Sequence, residues 1–223
     1  VNPILQGVLT SIDFNVKDKL TDKNLRDMIS HFSKYRLRNE DFENEDLLGS
    51  AYEYLIKMFA DSAGKKGGEF YTPNEVVRLL VSLIKPKAGH RVYDPTVGSG
   101  GMLIETKNYL TKQGEEARNL SLYGQDRNRS TWAICKLNMF LHSMFNVNIE
   151  HGDTLGDPKH LENGQLMTFD RVIANPPFSL KKWGKDYADD DPYGRYPYGT
   201  PPKDRGDLAF VQHMIASLNA EGK

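Results

Sequence analysis

The chain has 223 residues, a formal net charge of -1 and 26% charged side chains. That length allows one large domain, or one domain with an appendage, around a substantial core. The near-neutral balance excludes a general electrostatic pull toward nucleic acid or anionic membrane, so any DNA contact must come from a local basic patch or a partner chain. The single cysteine, Cys135, excludes an intramolecular disulfide and a cysteine zinc cluster. Within WAICKLNMF it reads as a core residue on a helix. The opening VNPILQGVLT lacks the long apolar core of a signal peptide, and no apolar run approaches the length of a membrane span. The cytoplasm is the expected compartment.

In chain order, residues 1–44 are polar, with scattered apolar positions (Leu20, Leu25, Met28, Ile29, Phe32) that suggest short helices. Over 45–60, Leu47, Leu48, Ala51, Tyr52, Leu55, Ile56 and Phe59 recur at helical spacing and predict one apolar stripe. ADSAGKKGGEF then breaks the helix. YTPNEVVRLLVSLI predicts a helix with Thr72 as cap, Pro73 at the first position and Glu75 completing a capping box. HRVYD (90–94), LSLYGQD (120–126), VNIEHGD (147–153) and FDRVIAN (169–175) read as strands, separated by helices at about 101–112 and 129–142. This alternation predicts an α/β fold with a mostly parallel sheet flanked by helices. Residues 179–206 have no usable period and read as a long loop, functional or partly ordered. A helix resumes at DLAFVQHMIASLNAEGK. A parallel sheet normally continues with another strand after such a helix, so the sheet is expected to be truncated at the C-terminus.

The strand ends carry the chemistry. In VYDPTVGSGG, Asp94 closes a strand, and Gly98, Gly100 and Gly101 form the turn before a helix whose N-terminus offers free N–H groups. The spacing does not fit G-x-G-x-x-G, and a carboxylate there suits an ammonium group better than a pyrophosphate. Tight packing alone also explains such a turn. Asp126, closing the next strand, suits two ribose hydroxyls or simply a helix cap. Asp153 in GDTL suits an adenine amine, with Thr154 and Leu155 beside it, or simply a turn. Three acids at three successive strand ends describe a pocket for S-adenosylmethionine. Asn175 ends the fourth strand at the same rim. Pro176 and Pro177 stop the strand and stiffen the turn, which fixes two acceptors, the Asn175 side-chain carbonyl and the Pro176 carbonyl. Phe178 is placed to stack on a base, and a base in duplex must be flipped out to reach such a pocket.

DPTVGSGG, GQD, GDTL and NPPF in this order resemble the DNA adenine-N6 methyltransferases. With EDLLGSAYEYLI, GGEFYTP and DPYGRYPYGTPPKDRGDLAFVQHM, the chain resembles the modification subunit of a type I restriction–modification system over residues 40–223. The resemblance implies a Rossmann-like S-adenosylmethionine-dependent methyltransferase fold. It divides the chain into 1–65, the end of an N-terminal helical domain, and 66–223, an incomplete catalytic domain. It implies that Glu69, Phe70, Tyr71, Thr72, Pro73 and Asn74 line the cofactor site. Ser99, Gly100 and Gly101 are expected at the methionine portion, Asp126 at the ribose and Asp153 at the adenine, with Asp94, Pro95, Thr96, Gly98, Thr154 and Leu155 also expected to bind the cofactor. Asn175, Pro176, Pro177 and Phe178 are implied as the catalytic residues, with Asn175 also near the cofactor. The implied partners are double-stranded DNA, a specificity subunit, a restriction subunit and a second copy of the modification subunit, in a prokaryotic cytoplasm.

No metal is expected, because methyl transfer from a sulfonium is a direct displacement and His142, His151, His160 and His213 lack ligand spacing. In 179–206, Lys181, Lys182, Lys185, Arg195, Lys203 and Arg205 interleave with Trp183, Tyr187, Tyr193, Tyr196 and Tyr198 in a pattern suited to DNA, diluted by Asp186, Asp189, Asp190 and Asp191. The competing readings are a protein-glutamine or RNA methyltransferase, and a non-catalytic cofactor-binding assembly module.

Overall fold

The computed structural model describes residues 5–8, 21–36, 38, 47–64 and 71–223. The first helix, α1 (Asp22–Phe32), is capped by the Thr21 side chain, which accepts from the Asn24 amide at 3.2 Å. It is helical as expected but buries nothing, and Leu20 lies outside the described residues. Helix α2 (Leu47–Ala63) also forms, yet its predicted stripe is not its buried face. Only Ile56 of that set is buried, together with Ala60, whereas Leu47, Leu48, Leu55 and Phe59 are exposed. The helix carries apolar residues around most of its girth, so spacing alone did not single out the side that packs.

Helix α3 (Asn74–Ile84) starts after Pro73, and no side chain caps it. The expected capping box is absent because the helix starts one residue later than expected: Pro73 holds the cap position, and Thr72 lies outside it. Then come β1 (Arg91–Asp94), α4 (Gly101–Lys112), β2 (Ser121–Asp126), α5 (Arg129–Leu141) and β3 (Val147–His151). A two-residue hairpin, β4 (Leu161–Glu162) and β5 (Gln165–Leu166), precedes β6 (Arg171–Val172). The chain closes with the short α6 (Lys185–Ala188) and α7 (Asp207–Ala216).

The main sheet has the order β3-β2-β1-β6, and every pairing in it is parallel. All four carboxyl ends therefore open at one rim. Alternate residues of each strand serve opposite faces. Val92 and Leu122 enter a core with Val77 and Val81 of α3, Leu103 and Leu110 of α4, and Cys135 and Met139 of α5. Their neighbours Tyr93 and Tyr123 point to the other face, against Phe169, Met214 and Leu218. There Tyr93 and Phe169 stack with ring centroids 4.5 Å apart. With both faces covered, these strands are buried as a parallel sheet requires. Cys135 is fully buried and free, as the sequence predicts.

Beyond α7 the chain returns to the free side of β6. The Phe169 amide donates to Ser217 O at 2.9 Å, the Val172 amide donates to Lys223 O at 2.9 Å, and Phe169 and Leu218 form a parallel bridge. These contacts seat residues 217–223 beside β6, although no further strand forms among the described residues.

Residues 179–206 are not an open loop. Trp183, Ala188 and Tyr196 pack with Leu155, Ala209 and Phe210 into a second core. The Trp183 indole N–H donates to Pro202 O at 2.9 Å. Gly206 passes so close that a Cβ there would lie 2.9 Å from Trp183 Cβ. Contacts of this kind join positions far apart in sequence, which explains the missing period. Trp183 and Arg195 are accordingly buried, and the rings offered to solvent are Tyr187 and Tyr198. Lys185 and Lys203 pair with Asp189 and Asp186. The expected row of free cations and rings is therefore partly consumed by folding.

Candidate active site

Two adjoining cavities open at the carboxyl rim and share Thr96 as a wall. The narrower, about 30 Å³, is lined by Tyr71, Thr72 and Asn74 from the start of α3, by Asp94, Thr96, Gly98, Ser99 and Gly101 from the β1–α4 turn, and by Asn175. The wider, about 440 Å³, is lined by Pro95, Thr96, Asp126, Asp153, Thr154 and Pro177, with Arg127, Asn128, Thr131, Leu180 and Phe210. Its size lies within the range of about 300–1,000 Å³ usual for small-molecule sites. Most of the expected cofactor residues are thus brought together. Pro73, Gly100, Leu155, Pro176 and Phe178 line neither cavity, and Glu69 and Phe70 lie outside the described residues.

Gly100 explains its own exception. It has φ +87°, and a Cβ there would collide with Met139 Cε and lie 2.9 Å from Cys135 Sγ. Its role is to let the turn settle onto α5, as a residue with a side chain cannot. Leu155 turns its side chain into the second core rather than toward a ligand.

The carboxylates are held from behind. Asp94 accepts from the Thr96 amide at 3.0 Å. Its burial pushes its pKa up to about 7, an effect that the Asp126 charge reinforces and the Thr96 N–H opposes. Asp126 accepts from the Asn128 amide at 2.7 Å and the Gly98 amide at 3.1 Å. Burial raises it to about 6 against those two bonds. Asp153 accepts from the Leu155 amide at 3.1 Å and faces Arg127 at 3.4 Å, the turn-forming bond that the sequence also offered for it.

Two buried polar atoms in the narrow cavity, Thr96 Oγ1 and Asn138 Oδ1, have no partner among the described residues. An unpaired buried polar atom costs about 1–3 kcal/mol, so a ligand that pairs it is favoured. Asn138 comes from α5, donates to Ser99 O at 2.9 Å, and was not among the residues expected from sequence. Its signal was present: an amide sits in the buried register of CKLNMF, where an apolar residue is the rule. Glu53 and Ile56 of α2, which also line this cavity, carried no comparable signal.

Asn175 follows β6, whose neighbour Ile173 donates to Tyr93 O at 3.0 Å. That bond fixes the Asn175 turn at the same rim as Asp94. The Asn175 amide nitrogen donates to Thr72 Oγ1 at 3.2 Å, and no hydrogen bond among the described residues engages its carbonyl oxygen. Pro176 and Pro177 are half-buried, and Phe178 is 80% exposed beside them. Among the described residues no cluster of His, Cys, Asp and Glu suits a metal. His160 instead bonds Gly124 O at 3.0 Å and His213 bonds Tyr93 Oη at 3.3 Å, both in the core.

Comparison with known proteins gives the family. The chain is 35% identical over its full length to the type I restriction enzyme HindI methylase subunit of Haemophilus influenzae, covering 50% of that protein. It is 34% identical over 94% of its length to the MpnII methylase subunit of Mycoplasma pneumoniae, covering 41% of it. The crystal structure of a type I restriction–modification methyltransferase subunit from Streptococcus thermophilus superposes with a TM-score of 0.79 at 28% identity, over 98% of this chain and 47% of that one. The chain therefore spans about half the length of the relatives it matches. A model of the family described as N-6 DNA Methylase matches residues 43–223, and the chain belongs to that family.

Proposed function

We propose that this chain carries the catalytic site of the modification subunit of a type I restriction–modification system, and that it methylates the N6 amine of a flipped adenine in DNA with S-adenosylmethionine as donor. The observation that carries this reading is the placement of Asn175. Asn175 lines the cavity that also holds Asp94 and the β1–α4 turn, and its amide nitrogen is engaged by Thr72.

The residues fit the cofactor. Thr96 Oγ1 and Asn138 Oδ1 are unpaired among the described residues, and Asp94 is a buried carboxylate suited to an ammonium partner. In the wider cavity Asp126 would meet a ribose and Asp153 with Thr154 an adenine. When bound, the cofactor supplies an electrophilic methyl group on a sulfonium. The protein's own part is positioning. Asn175 Oδ1 and the Pro176 carbonyl would accept the two protons of the exocyclic amine, which holds its nitrogen lone pair toward the cofactor side. Phe178, exposed next to Pro177 of the wider cavity, would offer a face for the extruded base. The prolines keep both acceptors from moving, so the gain is one of orientation.

The chain spans half of its relatives, and sequence recognition is assigned to a separate specificity subunit. A restriction subunit, a second copy of the modification subunit and double-stranded DNA complete the proposed assembly, in a prokaryotic cytoplasm. Among the described residues no helix is long and apolar enough to cross a membrane.

The test is to incubate the full-length protein and its specificity partner with tritiated S-adenosylmethionine, DNA, RNA and protein acceptors. Label is expected in DNA adenine. Asn175→Ala is expected to lower transfer about a hundredfold or more while cofactor binding persists. Label confined to RNA or protein, or cofactor binding without transfer, would refute the assignment.

A further inference from the structure

The guanidinium of Arg195 lies in the segment that follows the NPPF turn, yet it is only 3% exposed. A guanidinium has five N–H donors, and here each has an acceptor. Nε and Nη2 donate to Asp191 Oδ1 at 2.9 and 2.6 Å. Nη2 also donates to Leu155 O at 2.8 Å. Nη1 donates to Thr154 O at 3.1 Å and reaches His213 Nδ1 at 3.4 Å. An arginine donor fixes the tautomer of that ring: Nδ1 accepts, so the proton sits on Nε2, which meets Tyr93 Oη at 3.3 Å. Thr154 in turn donates its hydroxyl to Pro95 O at 2.6 Å. Burial first, and the Arg195 charge second, hold the His213 pKa down near 3, so the ring stays neutral.

These bonds meet at both turns of the wider cavity. Thr154 and Leu155 follow Asp153, and Pro95 follows Asp94. Tyr93 is the residue before Asp94 on β1. We propose that Arg195 is a positioning residue for the cofactor site: it joins the 179–206 segment, α7 and the two acid-bearing turns into one body, so that cofactor affinity depends on a residue that never touches the cofactor. This rests on the reading of the cavity as a site for S-adenosylmethionine. A lysine cannot replace Arg195, because a point ammonium has three donors and no planar fork to span two carbonyls and a carboxylate.

The test compares the unaltered full-length protein with Arg195→Lys and with the double variant Asp191→Asn/Arg195→Met, which removes both charges and leaves neither stranded. S-adenosylmethionine binding is measured by calorimetry. Amide hydrogen exchange across 153–156 and protease cleavage within 179–206 are followed without cofactor. Arg195→Lys is expected to bind the cofactor about ten- to a hundredfold more weakly. Exchange at 153–156 and cleavage in 179–206 should accelerate together, while secondary structure is retained. Should Arg195→Lys fail to fold, the double variant decides by the same readouts. Unchanged affinity in a folded variant would overturn the role of Arg195 and leave the cofactor site standing. Absence of binding by the unaltered protein would overturn both.

Discussion

Two groups of buried polar side chains lie side by side at the carboxyl rim, and they are finished to different degrees. Around Arg195 every guanidinium N–H has an acceptor, and the ion pair to Asp191 is sealed from solvent on both sides. Around the β1–α4 turn, Thr96 Oγ1 and Asn138 Oδ1 are unpaired among the described residues, and Asp94 is pushed toward its neutral form by burial. Both groups pay the desolvation penalty of buried polarity. Only the first recovers it within the protein. A satisfied cluster is architecture, and an unsatisfied one beside a cavity is a receptor awaiting its ligand.

The largest test of this contrast removes one side of the satisfied cluster. Arg195→Met strands the Asp191 carboxylate in a dry site and is expected to destabilise the protein by about 3–5 kcal/mol. The double variant Asp191→Asn/Arg195→Met should recover a large part of that loss. Urea denaturation of the two measures it, and equal losses would show that the pair is not closed.

The receptor side has a pH signature. A cationic ligand requires Asp94 ionised, and the free carboxyl titrates at about 7. Below that pH, binding must expel a proton, so affinity for S-adenosylmethionine should rise by up to about tenfold per pH unit until it levels off above about pH 8. Asp126, raised to about 6, acts in the same direction over a lower range. Calorimetry between pH 5.5 and 8.5, in buffers of different ionisation enthalpy, checks both the affinity and the proton release. Asp94→Asn should bind weakly and remove the part of the slope that lies near pH 7. The stability of the free protein has the opposite sign. The unfolded Asp94 ionises near 3.8 and the folded one near 7, so the folded chain holds more protons in between. Its contribution to stability therefore falls as pH climbs through that window.

The smallest effect separates the two groups most directly. Thr96→Val deletes an unpaired hydroxyl at nearly constant shape. It should leave the free protein unchanged or stabilise it by about 1 kcal/mol. The same change should weaken cofactor binding several-fold. A clear loss of stability without cofactor would mean that the hydroxyl is already paired.

Much of this site was legible in the sequence, because a parallel sheet puts functional residues at strand ends and strand ends are short, punctuated words. VYD, GQD and IANPP each finish an apolar run with a polar residue, and the structure aligns them at one rim. The illegible parts depend on contacts between distant positions. Thr72 looked like a helix cap because the next residues fit one, but the helix starts a residue later, and Thr72 instead accepts from Asn175, 103 positions on. Trp183 and Arg195 looked like DNA-facing groups because cations and rings alternate there. Their burial depends on Leu155, Phe210 and His213, which no local pattern links to them. Asn163-Gly164, the turn of the β4–β5 hairpin, has both residues at positive φ and is a standard hairpin signal that the strand reading passed over.

The thiol beneath Gly100 has a practical use. Cys135 is the chain's only cysteine, and burial holds it firmly protonated and unreactive. A modifying reagent reaches it when the packing of α5 on the glycine turn and its neighbours opens. Its labelling rate is therefore a native stopwatch for breathing at the β1–α4 turn, readable without any introduced probe.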